Sequence, residues 1–177
     1  MCGIFFFCDT NKKNLSLINE NIIEITDSIK KRGPDHFLLN QGVVKDTYWI
    51  GINTILSIRT SRTNISSALI EANKSGFFAY NGETYEPNTK NLDDTAFFNK
   101  LITIKPDIYN NKHYQGYFAY AKLDQDRLTF GVDFLSEKPI FYWKSDNKFC
   151  ISSDLRSILL LKNKLGIKTK LNKNKCK

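Results

Sequence analysis

The stretch Met1-Cys2-Gly3-Ile4-Phe5-Phe6-Phe7-Cys8 decides how this chain is read. Its apolar run is continuous rather than alternating, which predicts a strand over Ile4–Cys8 buried on both faces. Chain ends are ordinarily solvated and mobile. A strand this early therefore gives the residues before it a rigid support. One of them is a cysteine directly behind the initiator methionine. Two readings of Cys2 stand: a small buried side chain, or a thiol nucleophile.

Working outward, Leu15, Ile18, Ile22, Ile25 and Ile29 recur at spacings of three and four and predict one amphipathic helix. Its stop is Lys30-Lys31-Arg32-Gly33-Pro34, with cations, a glycine and a proline in place. Val43–Ile52 and Phe77–Tyr80 read as strands. Asp93 or Asp94 reads as an N-cap, followed by a short helix that buries Phe97, Phe98, Leu101 and Ile102. Tyr117–Leu123, Leu128–Val132, Ile140–Trp143 and Phe149–Ser152 read as consecutive strands, and Asp154 as the cap of a last helix through Leu161. Strands, helices and then a run of hairpins argue for an α+β fold.

At 177 residues the chain fits one domain, taken as residues 1–161, with a lysine-rich tail or linker over 162–177. Seven of the lysines behind the +8 net charge fall in that tail with no acid among them, leaving +1 for the body. Clustered lysines without interleaved aromatics are a poor nucleic-acid signal, so no nucleic-acid partner is expected. No apolar run approaches the ~20 residues of a membrane span, and Ile4–Phe7 is too short and wrongly flanked for a signal peptide. No membrane partner and a cytoplasmic location are therefore expected. The cysteines at 2, 8, 150 and 176 form no CxxC pair and accompany two histidines, which argues against a metal site.

Seven short segments occur in one order: MCGI, Arg32-Gly33-Pro34-Asp35, Tyr80-Asn81-Gly82-Glu83, Asp94-Thr95, Gly116–Ala121, Lys138-Pro139-Ile140-Phe141-Tyr142 and Ser152-Ser153-Asp154. Together they resemble the glutaminase domain of class II glutamine amidotransferases, most closely the N-terminal domain of asparagine synthetases. The resemblance implies the N-terminal-nucleophile hydrolase fold, a four-layer α/β/β/α sandwich of two antiparallel sheets. It implies that Cys2, freed of Met1, attacks a side-chain carboxamide with its own α-amine as base, since such an amine titrates near pH ~8. Asn81 and Gly82 would form the oxyanion hole, although Asn-Gly is also a common hairpin turn. Asp94 would hold the substrate ammonium. The substrate-binding set would comprise Ile55, Ser57, Ile58, Arg59, Glu83 and Asp94. No cofactor is implied. L-glutamine or a related amide is the expected substrate, and a separate synthetase or transferase subunit is the expected partner.

The chain departs from that pattern. Where the family carries an arginine in a stretch of the form R-L-S-I, this chain has Ile55-Leu56-Ser57-Ile58, and an isoleucine cannot pair a carboxylate. Arg59 and Arg62 follow in the next loop. The basic residue before the family's aspartate is Val132 here, ahead of Asp133, and the usual glycine-containing turn is Phe134-Leu135-Ser136-Glu137. No synthetase-type nucleotide motif follows. Alternative readings are an amide hydrolase for a substrate lacking the α-carboxylate, a catalytically inactive binding or regulatory module, and a fragment of a longer synthetase.

Overall fold

The structure, a computed structural model, describes residues 2–57, 65, 67–74, 76–85, 94–104 and 115–169. Among these the elements run β1 (Gly3–Asp9), α1 (Lys12–Glu20), α2 (Ile22–Lys30), β2 (His36–Val44), β3 (Thr47–Ile55), α3 (Ser67–Ala72), β4 (Phe77–Thr84), α4 (Asp94–Ile104), β5 (Gly116–Asp124), β6 (Arg127–Val132), β7 (Phe141–Ser145), β8 (Lys148–Ser152) and α5 (Leu155–Lys164). The fold is α+β, with two antiparallel sheets: β2-β3-β1-β8-β7 and β4-β5-β6.

β1 lies inside the larger sheet between β3 and β8, and its parity divides the core. Phe5 and Phe7 point outward into a cluster with Leu15, Ile18, Ile25, Ile29, Ile158 and Leu161 of α1, α2 and α5. Ile4 and Phe6 point inward into a second cluster with Trp49, Phe77, Ala79, Ala119 and Ala121, where the sheets face each other. A third cluster joins Phe78, Tyr80, Phe118 and Tyr120 on the far face of the smaller sheet to Leu69, Phe98 and Ile102 of α3 and α4. Three apolar seams between helices, sheet, sheet and helices are compatible with the expected layered sandwich.

Several local expectations are corrected. The helix expected over Leu15–Ile29 is two helices broken at Asn21, whose φ of −108° and ψ of 14° leave the helical region. The Asn21 side-chain amide donates to the Leu17 carbonyl at 2.8 Å, so one residue ends α1 and starts α2 while the buried face continues across the break. The strand expected over Val43–Ile52 spans a hairpin turn at Lys45-Asp46, with Lys45 at φ 53° and its ammonium paired to Asp126 at 2.5 Å. Asn81-Gly82 is no turn: it lies within β4, opposite Ala119 and Phe118. The helix α3 was not expected. Asp94 stands in the first turn of α4, while Asp93 lies outside the described residues. Asp154 caps α5 as expected, accepting from the Arg156 N–H at 2.9 Å, and the helix continues to Lys164.

The sheets approach closely where Gly51 of β3 meets the Phe77 ring, since a Cβ at position 51 would overlap that ring. Gly51→Ala is expected to destabilise by about 1–3 kcal/mol through overpacking, against the smaller gain that alanine ordinarily brings to a strand. Thermal unfolding followed by circular dichroism reads this as a lower midpoint. An unchanged midpoint would contradict the Gly51–Phe77 contact.

Candidate functional site

The site forms where the start of β1, the end of β3 and β4 converge. Cys2 lies one position beyond the Gly3↔Thr54 pair and so stands opposite Ile55, on the face of the larger sheet that looks toward the smaller one. Gly3 behind it has no room for a side chain: a Cβ there would overlap Ile29 of α2 and Thr54 of β3. The segment carrying Cys2 is thus pressed onto the larger sheet.

Across the gap, Asn81 is buried at 3% exposure, and its Oδ1 accepts from the Cys2 backbone nitrogen at 3.0 Å. That bond fixes the orientation of the amide. Asn81 Nδ2 is left buried with no hydrogen-bond partner, a donor directed into the site. Gly82 follows in β4, where a Cβ would overlap the Tyr117 carbonyl of β5. The strand opposite explains where the Gly82 amide points. Phe118, its register partner, donates its N–H to Asp133 Oδ2 at 3.1 Å and accepts from the Asp133 N–H at 2.9 Å. Both Phe118 backbone groups are thereby turned toward β6. Gly82 and Phe118 then form a pair without mutual hydrogen bonds, and the Gly82 N–H faces out of the open edge of the smaller sheet.

Two cations border the thiol. Arg32 leaves α2 in a loop held against the end of β3. A Cβ on Gly33 would lie 2.5 Å from the Ile55 nitrogen, the Asp35 N–H donates to the Ile55 carbonyl at 3.1 Å, and the Ser57 N–H donates to Asp35 Oδ2 at 2.8 Å. Lys138 arrives from the loop before β7, its ammonium 4.7 Å from the centre of the Tyr117 ring, and Tyr117 faces Glu83 across β4 and β5. Asp133 shapes that loop by accepting from the Leu135 and Glu137 N–H groups at 2.9 and 3.3 Å, and Ser136 within the turn adopts φ 54°. Burial holds the Cys2 thiol above its ordinary value. A hydrogen bond from the Leu56 backbone and the charges of Lys138 and Arg32 pull the other way. Burial pushes the Cys8 thiol up to about 11.

Ile55 turns its side chain to the cluster that contains Tyr80 and Phe98. Asp94 lies one helical turn before Phe98 on α4, so the structure brings Ile55 and Asp94 to the same end of the site. Ser57 keeps a buried hydroxyl without a partner. Ile58, Arg59 and Arg62 lie outside the described residues. Two contributors were not singled out from sequence: Lys138 and Tyr80. Each sits inside a quoted segment, and only the topology brings them beside Cys2 and Asp94. Asn53, on the inward face opposite Ile4, also buries an unpartnered amide. No metal-ligating cluster occurs among the described residues, and no described helix is long and apolar enough to cross a membrane.

No protein-family model matches the chain. The chain is similar to asparagine synthetase [glutamine-hydrolyzing] 3 of Bacillus subtilis (strain 168), with 28% identity over 177 residues. The match covers 90% of this chain and 27% of that protein, so the chain spans about a quarter of the length of the curated relative it matches.

Proposed function

We propose that the chain is a class II glutaminase-type amidotransferase domain with the N-terminal-nucleophile hydrolase fold, hydrolysing the side-chain amide of L-glutamine. The observation that carries this reading is the Asn81 amide: its oxygen takes the Cys2 nitrogen, and its Nδ2 remains a buried donor with nothing to bind. Similarity to a glutamine-hydrolysing synthetase supports the same reading.

With Met1 removed, the Cys2 nitrogen becomes an α-amine anchored on Asn81 Oδ1. Its lone pair accepts the thiol proton as sulfur bonds to the carboxamide carbon. Negative charge gathers on the carbonyl oxygen, which Asn81 Nδ2 and the Gly82 N–H stabilise as preformed donors. Collapse breaks the C–N bond, and the protonated amine returns its proton to the leaving ammonia. Water then cleaves the γ-glutamyl thioester, releasing glutamate and restoring the thiol. Asp94 pairs with the substrate ammonium. The ammonia passes to a synthetase or transferase.

Purified protein, confirmed by intact mass to have lost Met1, is expected to release glutamate and ammonia from L-glutamine. Cys2→Ala should abolish the release, and Asn81→Ala should lower kcat about 10²–10³-fold through loss of one oxyanion donor. Release that persists in Cys2→Ala would sink the mechanism.

The bordering cations give a second outcome. A neighbouring positive charge favours the thiolate, so Lys138→Ala should move the Cys2 titration further up and slow its alkylation by iodoacetamide at neutral pH. Peptide-resolved mass spectrometry separates Cys2 from the other thiols across pH. An unshifted profile would remove Lys138 from the site.

A further inference from the structure

Glutamine carries an ammonium and a carboxylate on the same carbon, so whatever holds the carboxylate must lie beside the group that holds the ammonium. A carboxylate taken from water without a donor is costly. At the end of the site where Asp94 stands, position 55 offers only an isoleucine, so the donor must come from another element.

Tyr80 meets that description. It precedes Asn81 in β4 and points to the opposite face, toward α4. Its ring packs on Phe98 at 4.7 Å between centroids, and Phe98 lies one turn beyond Asp94. Ile55 packs against the same cluster. Tyr80 is 6% exposed, and its hydroxyl is buried with no hydrogen-bond partner. A buried phenol ordinarily finds one. Burial raises its pKa, and the charges of Asp94, Glu83 and Cys2 raise it further against an opposing contact with the Thr84 side chain, so the hydroxyl stays protonated and able to donate.

We propose that Tyr80 is a substrate-contacting residue whose hydroxyl donates a hydrogen bond to the α-carboxylate of the bound amino acid, at the place where Ile55 supplies no cation. This rests on the glutaminase reading above. A neutral donor binds a carboxylate less strongly than a bidentate guanidinium does, so the site discriminates weakly between a free carboxylate and its amide.

The test compares L-glutamine with L-glutamine α-amide, which lacks the carboxylate, in wild type and Tyr80→Phe. Phenylalanine keeps the ring on Phe98 and removes an unpartnered hydroxyl, so thermal stability should stay level or rise. KM for L-glutamine is expected to rise about 10-fold with kcat nearly unchanged, as for a lost hydrogen bond to a charged group. KM for the α-amide should hardly move. Adding Ile55→Arg to Tyr80→Phe should restore a low KM for L-glutamine alone. Equal changes for both substrates, or no change for either, would overturn the assignment while leaving the glutaminase reading intact. A lowered melting temperature with unchanged kinetics would make the hydroxyl structural and overturn it too. The glutaminase reading has its own control in Cys2 labelling by a glutamine-like diazoketone. If Cys2 is unlabelled and neither substrate is turned over, that reading fails and the Tyr80 assignment with it.

Discussion

Everything in this fold hangs on the burial of β1 on both faces. Ile4, Phe5, Phe6 and Phe7 are each at most 1% exposed, and they alternate between two separate apolar seams. A fully buried side chain of this size contributes about 1.5–3 kcal/mol, so this one strand ties the outer helices and the facing sheet to the same backbone. The constraint also explains the location of the site. A strand fixed on both sides and on both edges cannot slide, and the residue just before it inherits that rigidity. Cys2 is held in place by packing several residues away from it, and Gly3 lets α2 and β3 close in directly behind.

The sequence made some of this legible for identifiable reasons. The continuous apolar run of β1 and the strands β5 and β8 were visible because their patterns match their burial. The break at Asn21 was hidden because the buried stripe runs on through it, and only one asparagine marks the change of axis. The β2–β3 hairpin was hidden because β2 exposes Phe37, Leu39 and Val43, so its period-2 pattern carries apolar residues on the solvent side as well. The six-residue α3 is too short to show a periodicity of its own.

The candidate site was legible in a different way. Cys2, Asn81 and Gly82 were found through short segments in register, and their physical relation appears only in three dimensions. An Asn-Gly pair reads locally as a turn, yet here tertiary pairing with β5 places it inside a strand. Tyr80 read as one more aromatic in an apolar stretch. What distinguishes it is a hydroxyl without a partner, a property of the packing around it. Ile55 remains the sharpest departure. The structure answers it by packing that side chain into the α4 seam, which makes the end of the site opposite the thiol more apolar than a charged anchor would.

The grip of Asp133 on Phe118 reaches further than the loop it organises. By drawing both Phe118 backbone groups toward β6, it turns the Gly82 N–H away from β5, to the side of β4 that no other described strand covers. Free amides along a sheet edge are what recruit foreign strands and lead to aggregation. Here such an amide lies beside Cys2, where a ligand of the proposed site would occupy it. Ligand occupancy and protection of that edge thus become one event, and the protein should be most prone to self-association when its site is empty.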